Sequence, residues 1–128
     1  MSRTTLSTAD APSAIGPYSQ AVRAGGMVFC SGQIPLNAQG ELVEGSIADQ
    51  TRQVLRNLEA VLKSADLTLA SVVKTTCFLT NLGDFKEMNA AYAEFFPENP
   101  PARATVEVSA LPAGVAVEID CIAVVGEG

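Results

Sequence analysis

From Ile47 onward the apolar residues Val54, Leu55, Leu58, Val61, Leu62 and Ala65 recur at helical spacing and form a one-sided stripe. Asp49, Arg52, Arg56, Glu59 and Lys63 fall on the opposite face, whose simplest use is solvation, and Ser46 stands where an N-cap is needed. A β-branched run, "SVVKTTCFLT", follows and predicts a strand. "NLGDF" then turns the chain into a second helix, with Asp84 as cap and Glu87 three positions on, the spacing of a capping box. Phe85, Met88, Tyr92, Phe95 and Phe96 make its apolar stripe, which reads more readily as core than as a cofactor face. Pro97, Pro100 and Pro101 forbid its continuation.

The remaining segments alternate or are short and β-rich. "SQAVRAGG" runs directly into "MVFCSGQIPL", so Gly25-Gly26 reads as a hairpin turn. "NAQGELVEG" is a loop or a short strand. Near the end, "ARATVEV" and "VAVEIDCIAVV" flank "SALPAG" and read as an antiparallel hairpin with a longer loop. The order is ββ-α-β-α-ββ, an α+β domain spanning 1–128 with a mixed sheet and two helices on one face. The other face has no cover, and strands such as "SVVKTTCFLT" are apolar on both sides. Association of copies through the bare face is therefore expected.

Composition narrows the chemistry. A chain of 128 residues, 48% hydrophobic and 17% charged, is that of an ordinary globular domain. No segment approaches the roughly 20 apolar residues needed to cross a bilayer, and "MSRTTLSTAD" lacks the apolar core of a signal peptide. A cytoplasmic location is expected. A net charge of −6, with eight scattered cations, disfavours nucleic acid as a partner. Cys30, Cys77 and Cys121 each sit in an apolar, strand-like run without a CxxC pair, and read as small buried hydrophobes. The absence of histidine removes the usual catalytic triad and the common base near neutral pH, and leaves only thiolates and carboxylates for a zinc site. No metal and no organic cofactor is expected; chemistry here must use carboxylates, Tyr, Arg, backbone and water.

One cation is out of place. Arg103, in "NPPARATVEV", is the only Lys or Arg after Lys86, among the acids Glu87, Glu94, Glu98, Glu107, Glu118, Asp120 and Glu127. Strand alternation puts Arg103, Thr105 and Glu107 on one face, and Glu118 with Asp120 on one face of the final strand. A hairpin symmetric about its loop would set Thr105 against Glu118 and Arg103 against Asp120. One reading is a cross-strand ion pair, worth about 0.2–1 kcal/mol when exposed. The other is a guanidinium only partly neutralised, whose fork receives a ligand carboxylate, with Glu118 as nearby base or water-positioning group. Tyr18, after the Gly-Pro of "AIGPYSQAV", either covers a cleft or packs at a strand start. Gly32, in "CSGQIP", either admits close approach by a ligand or is a turn glycine.

Taken together, "IGPYSQAV", "SGQIP", "VVKTTCFL", "MNAAYAEFF", "PPARATVEV" and "VEIDCIAVV" resemble, in order and spacing, the Rid (YjgF) family and its RidA-like branch of reactive-intermediate deaminases. The resemblance runs from about Ala14 to Val125. It implies a chorismate-mutase-like α+β fold, assembled as a homotrimer around a central barrel with active sites between subunits. It also implies hydrolysis of enamines and imines such as 2-aminoacrylate and 2-iminobutanoate to 2-keto acids and ammonia, protecting pyridoxal-phosphate enzymes. On matching positions, Arg103 is the carboxylate-binding arginine and Glu118 the glutamate associated with the attacking water. Tyr18, Ser31, Gly32 and Asn89 line the cleft. Thr105, a substrate-binding position, departs from the cysteine that many relatives carry, which excludes a thiol-based regulatory role there. Alternatives are a small-carboxylate binding module without turnover, a ribonuclease or translation-inhibitor activity, and a chaperone-like role.

Overall fold

The computed structural model describes residues 2–126. Six strands form one mixed sheet: β1 (Arg3–Leu6), β2 (Ala21–Ala24), β3 (Met27–Gln33), β4 (Val72–Leu79), β5 (Ala102–Glu107) and β6 (Val117–Val124). The helices are α1 (Ile47–Lys63) and α2 (Phe85–Ala93). The α+β class, the first hairpin and both helices agree with the pattern of the sequence. Ala24 pairs with Met27 across a turn in which Gly25 takes φ +59°, the left-handed region that favours glycine. β1 was not expected; Arg3–Leu6 pairs antiparallel with β2 and extends the sheet. The "NAQGELVEG" stretch contributes a single bridge, Leu36 to Leu42.

The strand order is β1-β2-β3-β6-β4-β5, and here the expected terminal hairpin is overturned. β5 and β6 are not neighbours. β6 inserts between β3 and β4, antiparallel to both, while β5 pairs parallel with β4 at the sheet edge. The chemistry of the two strands explains the exchange. Every inward residue of β6, Val117, Ile119, Cys121 and Ala123, is buried, as a central strand requires. β5 alternates Arg103, Thr105 and Glu107 with small or exposed residues, a composition suited to an edge. The β4–α2–β5 segment is then an ordinary parallel crossover.

α1 is capped as expected, Ser46 Oγ accepting from the Asp49 N–H at 3.1 Å. Its Val54, Leu55, Leu58, Val61 and Leu62 are fully buried against the sheet, each worth roughly 1.5–3 kcal/mol. The solvated face is not wholly idle: Arg52 bridges Asp49 at 3.1 Å and Glu94 at 2.9 Å, tying α1 to the end of α2. The capping box at α2 does not form. Asp84 makes no side-chain cap bond, because Leu82–Asp84 is itself a turn of 3₁₀-helix capped by Asn81. Glu87 instead accepts from the Ala48 N–H at 3.1 Å and so caps the other helix. All three cysteines are free and buried in the core, as their surroundings suggested.

Both helices cover one face of the sheet. The opposite face bears Phe29, Val106 and Val124, at 43%, 41% and 38% exposure. It is the bare apolar face expected from the two-sided hydrophobicity of the strands.

Candidate active site

The sheet register separates the residues that an imagined hairpin had joined. Arg103 is level with Thr75, and Thr75 with Cys121, so the arginine emerges on the helix-covered face. Glu118 is level with Phe78, one residue out of phase, and emerges on the open face with Asp120. With β4 between them, β5 and β6 lie two inter-strand spacings apart, about 9–10 Å. Arg103 therefore does not face Asp120, nor Thr105 Glu118, and the cross-strand ion pair is excluded. Two half-sites exist instead.

The first is built around Glu118. The loop before β2 carries Ile15 and Tyr18, and with Ser31, Gly32 and Ile34 they enclose a cavity of about 560 Å³ beside the glutamate. Gly32 leaves room for the glutamate in its observed place: a Cβ on it would stand 2.9 Å from the Glu118 Cδ and 3.0 Å from Cγ. The carboxylate thus lies directly over the peptide backbone. Ser31 Oγ donates to the Ser19 carbonyl at 2.6 Å, which ties down the loop and leaves the hydroxyl free only to accept. Tyr18, half-exposed, accepts through its hydroxyl from the Ile15 N–H at 3.2 Å. That loop is pinned from below by Gln20, whose amide donates to the Pro12 carbonyl at 2.7 Å and accepts from the Thr8 N–H at 2.7 Å. Burial raises the Glu118 pKa above the usual carboxylate range, and the Asp120 charge two residues along adds to the shift.

The second half-site is built around Arg103. Asn89, Tyr92, Phe96, Pro101 and Arg103 border a cavity of about 430 Å³ at the junction of α2 and the sheet edge. Among the described residues no carboxylate forms an ion pair with Arg103; the bridges are those of Arg52. The guanidinium carbon sits 4.8 Å from the Tyr92 ring centre and 5.5 Å from that of Phe85. Phe85 is therefore not a core residue, as its place in the helical stripe suggested, but is 38% exposed beneath the arginine. Tyr92 is buried, and its hydroxyl shares a 2.7 Å hydrogen bond with that of Thr75. Burial pushes the phenol above its ordinary pKa, so Tyr92 stays neutral. Thr105 lies one pleat from Arg103 on the same face, its Oγ1 buried and without a hydrogen-bond partner among the described residues. It is level with Cys77, whose thiol burial pushes up to about 11. That sulfur remains a thiol at neutral pH.

Of the residues singled out from the sequence, Tyr18, Ser31, Gly32 and Glu118 come together, and Arg103 and Asn89 come together, with Thr105 on the same strand face as Arg103 but outside that cavity. The chain does not by itself unite the two groups. Gln20 and the paired Thr75 and Tyr92 were missed as supports. Gln20 alone carried a signal, a polar residue at the mouth of an apolar strand. Among the described residues no three His, Cys, Asp or Glu side chains converge as metal ligands would.

The profile of a protein family described as Endoribonuclease L-PSP matches residues 8–125. A protein of Pyrococcus horikoshii named as a RutC family protein is 52% identical over 91% of this chain and 93% of its own. The human 2-iminobutanoate/2-iminopropanoate deaminase is 44% identical over 97% of this chain and 91% of its own. Among solved structures, Escherichia coli TdcF with bound serine superposes with a TM-score of 0.92 at 42% identity, covering 96% of this chain and 99% of that one.

Proposed function

The chain belongs to the Endoribonuclease L-PSP family, the YjgF/Rid proteins, and from that premise we propose that it hydrolyses 2-aminoacrylate and 2-iminobutanoate to 2-keto acids and ammonia. Enzymes that use pyridoxal phosphate would be its beneficiaries. The observation that carries the reading is Arg103, a cation held in place with no carboxylate of its own among the described residues. A planar guanidinium with a vacant fork suits a ligand carboxylate in two parallel bonds. Two relatives lend weight: the human protein is named for this deamination, and TdcF was solved with serine, a carboxylate ligand.

In this reading three copies associate through their open sheet faces. The Arg103 half-site of one copy then meets the Glu118 half-site of the next. The separation of the two groups by β4 supports such a shared site, because neither half holds both an anchor and a base.

The reaction asks for little. An enamine substrate first takes a proton from solvent at C3 and becomes the iminium ion. Arg103 fixes the carboxylate and so holds C2 beside a water at Glu118, which is catalysis by positioning. Water attacks C2 of the iminium, its proton passing to Glu118, and the nitrogen becomes the amine of a tetrahedral intermediate. Glu118 returns that proton to the nitrogen, the C–N bond breaks as the C2 hydroxyl gives its proton to the freed carboxylate, and ammonia leaves with the 2-keto acid behind. Glu118 then releases this proton to solvent, which balances the one taken up at the start.

The test generates each imine in place from serine or threonine with a dehydratase, and follows its capture by semicarbazide. Wild-type protein should divert imine to keto acid. Arg103→Ala and Arg103→Lys should both lose roughly 10- to 100-fold in kcat/KM, since an ammonium cannot make the two-pronged contact. Full turnover in either variant would refute Arg103 as the anchor. A wild type that binds 2-oxobutanoate but spares the imine would mark a carboxylate-binding module instead.

A further inference from the structure

An arginine on an edge strand, with no carboxylate to hold it, ought to sweep through many rotamers. Arg103 does not have that freedom, because its guanidinium lies against two rings of α2. We infer that Phe85 and Tyr92 are positioning residues, which hold the Arg103 guanidinium by its face and leave its hydrogen-bonding edge set for a carboxylate. The inference rests on the reading of Arg103 as the substrate's anchor, and adds how that anchor is kept in place.

Three features carry it. The Tyr92 ring is itself held: its hydroxyl is bonded to buried Thr75 at 2.7 Å, and it packs on Phe96 with ring centres 4.7 Å apart. Phe85, at the first position of α2, leaves 38% of its surface in solvent although the core is close by. A large apolar side chain so placed is explained by the cation it faces. Finally, the chemistry differs from that of an ion pair. A carboxylate neighbour would occupy the N–H fork and neutralise the charge. Aromatic faces attract the cation through their quadrupole and touch none of its donors. The stack thus limits the search of the side chain while its charge and donors remain available, which is preorganisation.

Phe85 is the residue to change, because its exposure lets the fold survive. Phe85→Leu keeps an apolar side chain and removes the ring; Phe85→Tyr keeps the ring. Each is compared with wild type by imine kinetics, by titration with 2-oxobutanoate, and by the NMR resonance of the Arg103 Nε–H. Phe85→Leu should raise KM and weaken 2-oxobutanoate binding about two- to fivefold, the size of an exposed cation–π contact, with kcat nearly unchanged. The Arg103 Nε–H signal should shift by the ring-current contribution of Phe85, that of Tyr92 remaining. Phe85→Tyr should restore all three. Wild-type affinity and an unmoved Arg103 signal in Phe85→Leu would overturn the inference, and so would a loss confined to kcat. A wild type inert toward both imine and keto acid would instead defeat the reading of the site on which the inference depends.

Discussion

An alanine at position 32 would set its Cβ against the Glu118 carboxylate, 2.9 Å from Cδ, while the backbone there needs no left-handed conformation. The obstructed group is the end of a flexible side chain, so the fold can yield by turning Glu118 aside. Gly32→Ala should therefore leave the melting temperature within a few degrees of wild type and lower kcat by about tenfold or more, the scale of a misplaced proton acceptor. Equal loss of both would make Gly32 a folding glycine. The state of Glu118 is open to a second check. As a base it must be ionised, and burial with the Asp120 charge holds its pKa above the usual range. The acid limb of kcat/KM should then lie above the ordinary carboxylate value. Asp120→Asn removes only the smaller cause, so the limb should move to lower pH without reaching that value; a limb that stays fixed would assign the titration to another group. At this scale the sequence was legible where chemistry is unusual. Arg103 stood out as a solitary cation, and Gly32 as a glycine after a strand. Phe85 did not, because helical periodicity records which face a residue is on and not whether a cation or the core covers it.

Elements were legible where local forces dominate. α1, with a seven-residue apolar stripe and a serine cap, could be drawn from its spacing alone, and the Gly25-Gly26 hairpin from its turn. The expected β5–β6 hairpin does not form because strands that are neighbours in sequence need not be neighbours in the sheet. Strand partners are chosen by burial, and a nine-residue connection, 108–116, is long enough for β6 to reach the centre. That hairpin would put Arg103 and Glu118 on one patch, whereas the sheet sets them on opposite faces. Asn57 is a second case, a polar residue in the buried stripe of α1. Its amide donates to the Leu36 carbonyl at 2.8 Å and the Ile34 carbonyl at 3.2 Å, fixing the segment after β3 that walls the Glu118 cavity. Asn57→Leu fits the stripe by volume and strips those carbonyls of a donor. Urea unfolding should show a loss of about 1–3 kcal/mol, the cost of a buried group left unpaired. Unchanged stability would mean that the 34–36 segment is held by its other contacts.

For the whole molecule, the question is whether the two half-sites meet within one copy or between copies. The register argues for copies: β4 intervenes, the half-sites open on opposite faces, and the face bearing Glu118 is also the one bearing exposed Phe29, Val106 and Val124. A contiguous apolar sheet surface of this kind marks a site of association. Arg103→Ala and Glu118→Gln should each keep at most about a tenth of wild-type activity alone. In a shared site each spoils one contribution, and the other chain supplies what is missing. Unfolding the two together and refolding the mixture should therefore restore activity to about a quarter of wild type, because random assortment pairs an intact arginine with an intact glutamate at one interface in four. Mixing the two proteins after folding, without exchange, should restore little, and light scattering should report the same assembly throughout. If co-refolding restores nothing while assembly is normal, Arg103 and Glu118 serve different sites, and the hydrolytic base must be sought among groups on the Arg103 side of the sheet.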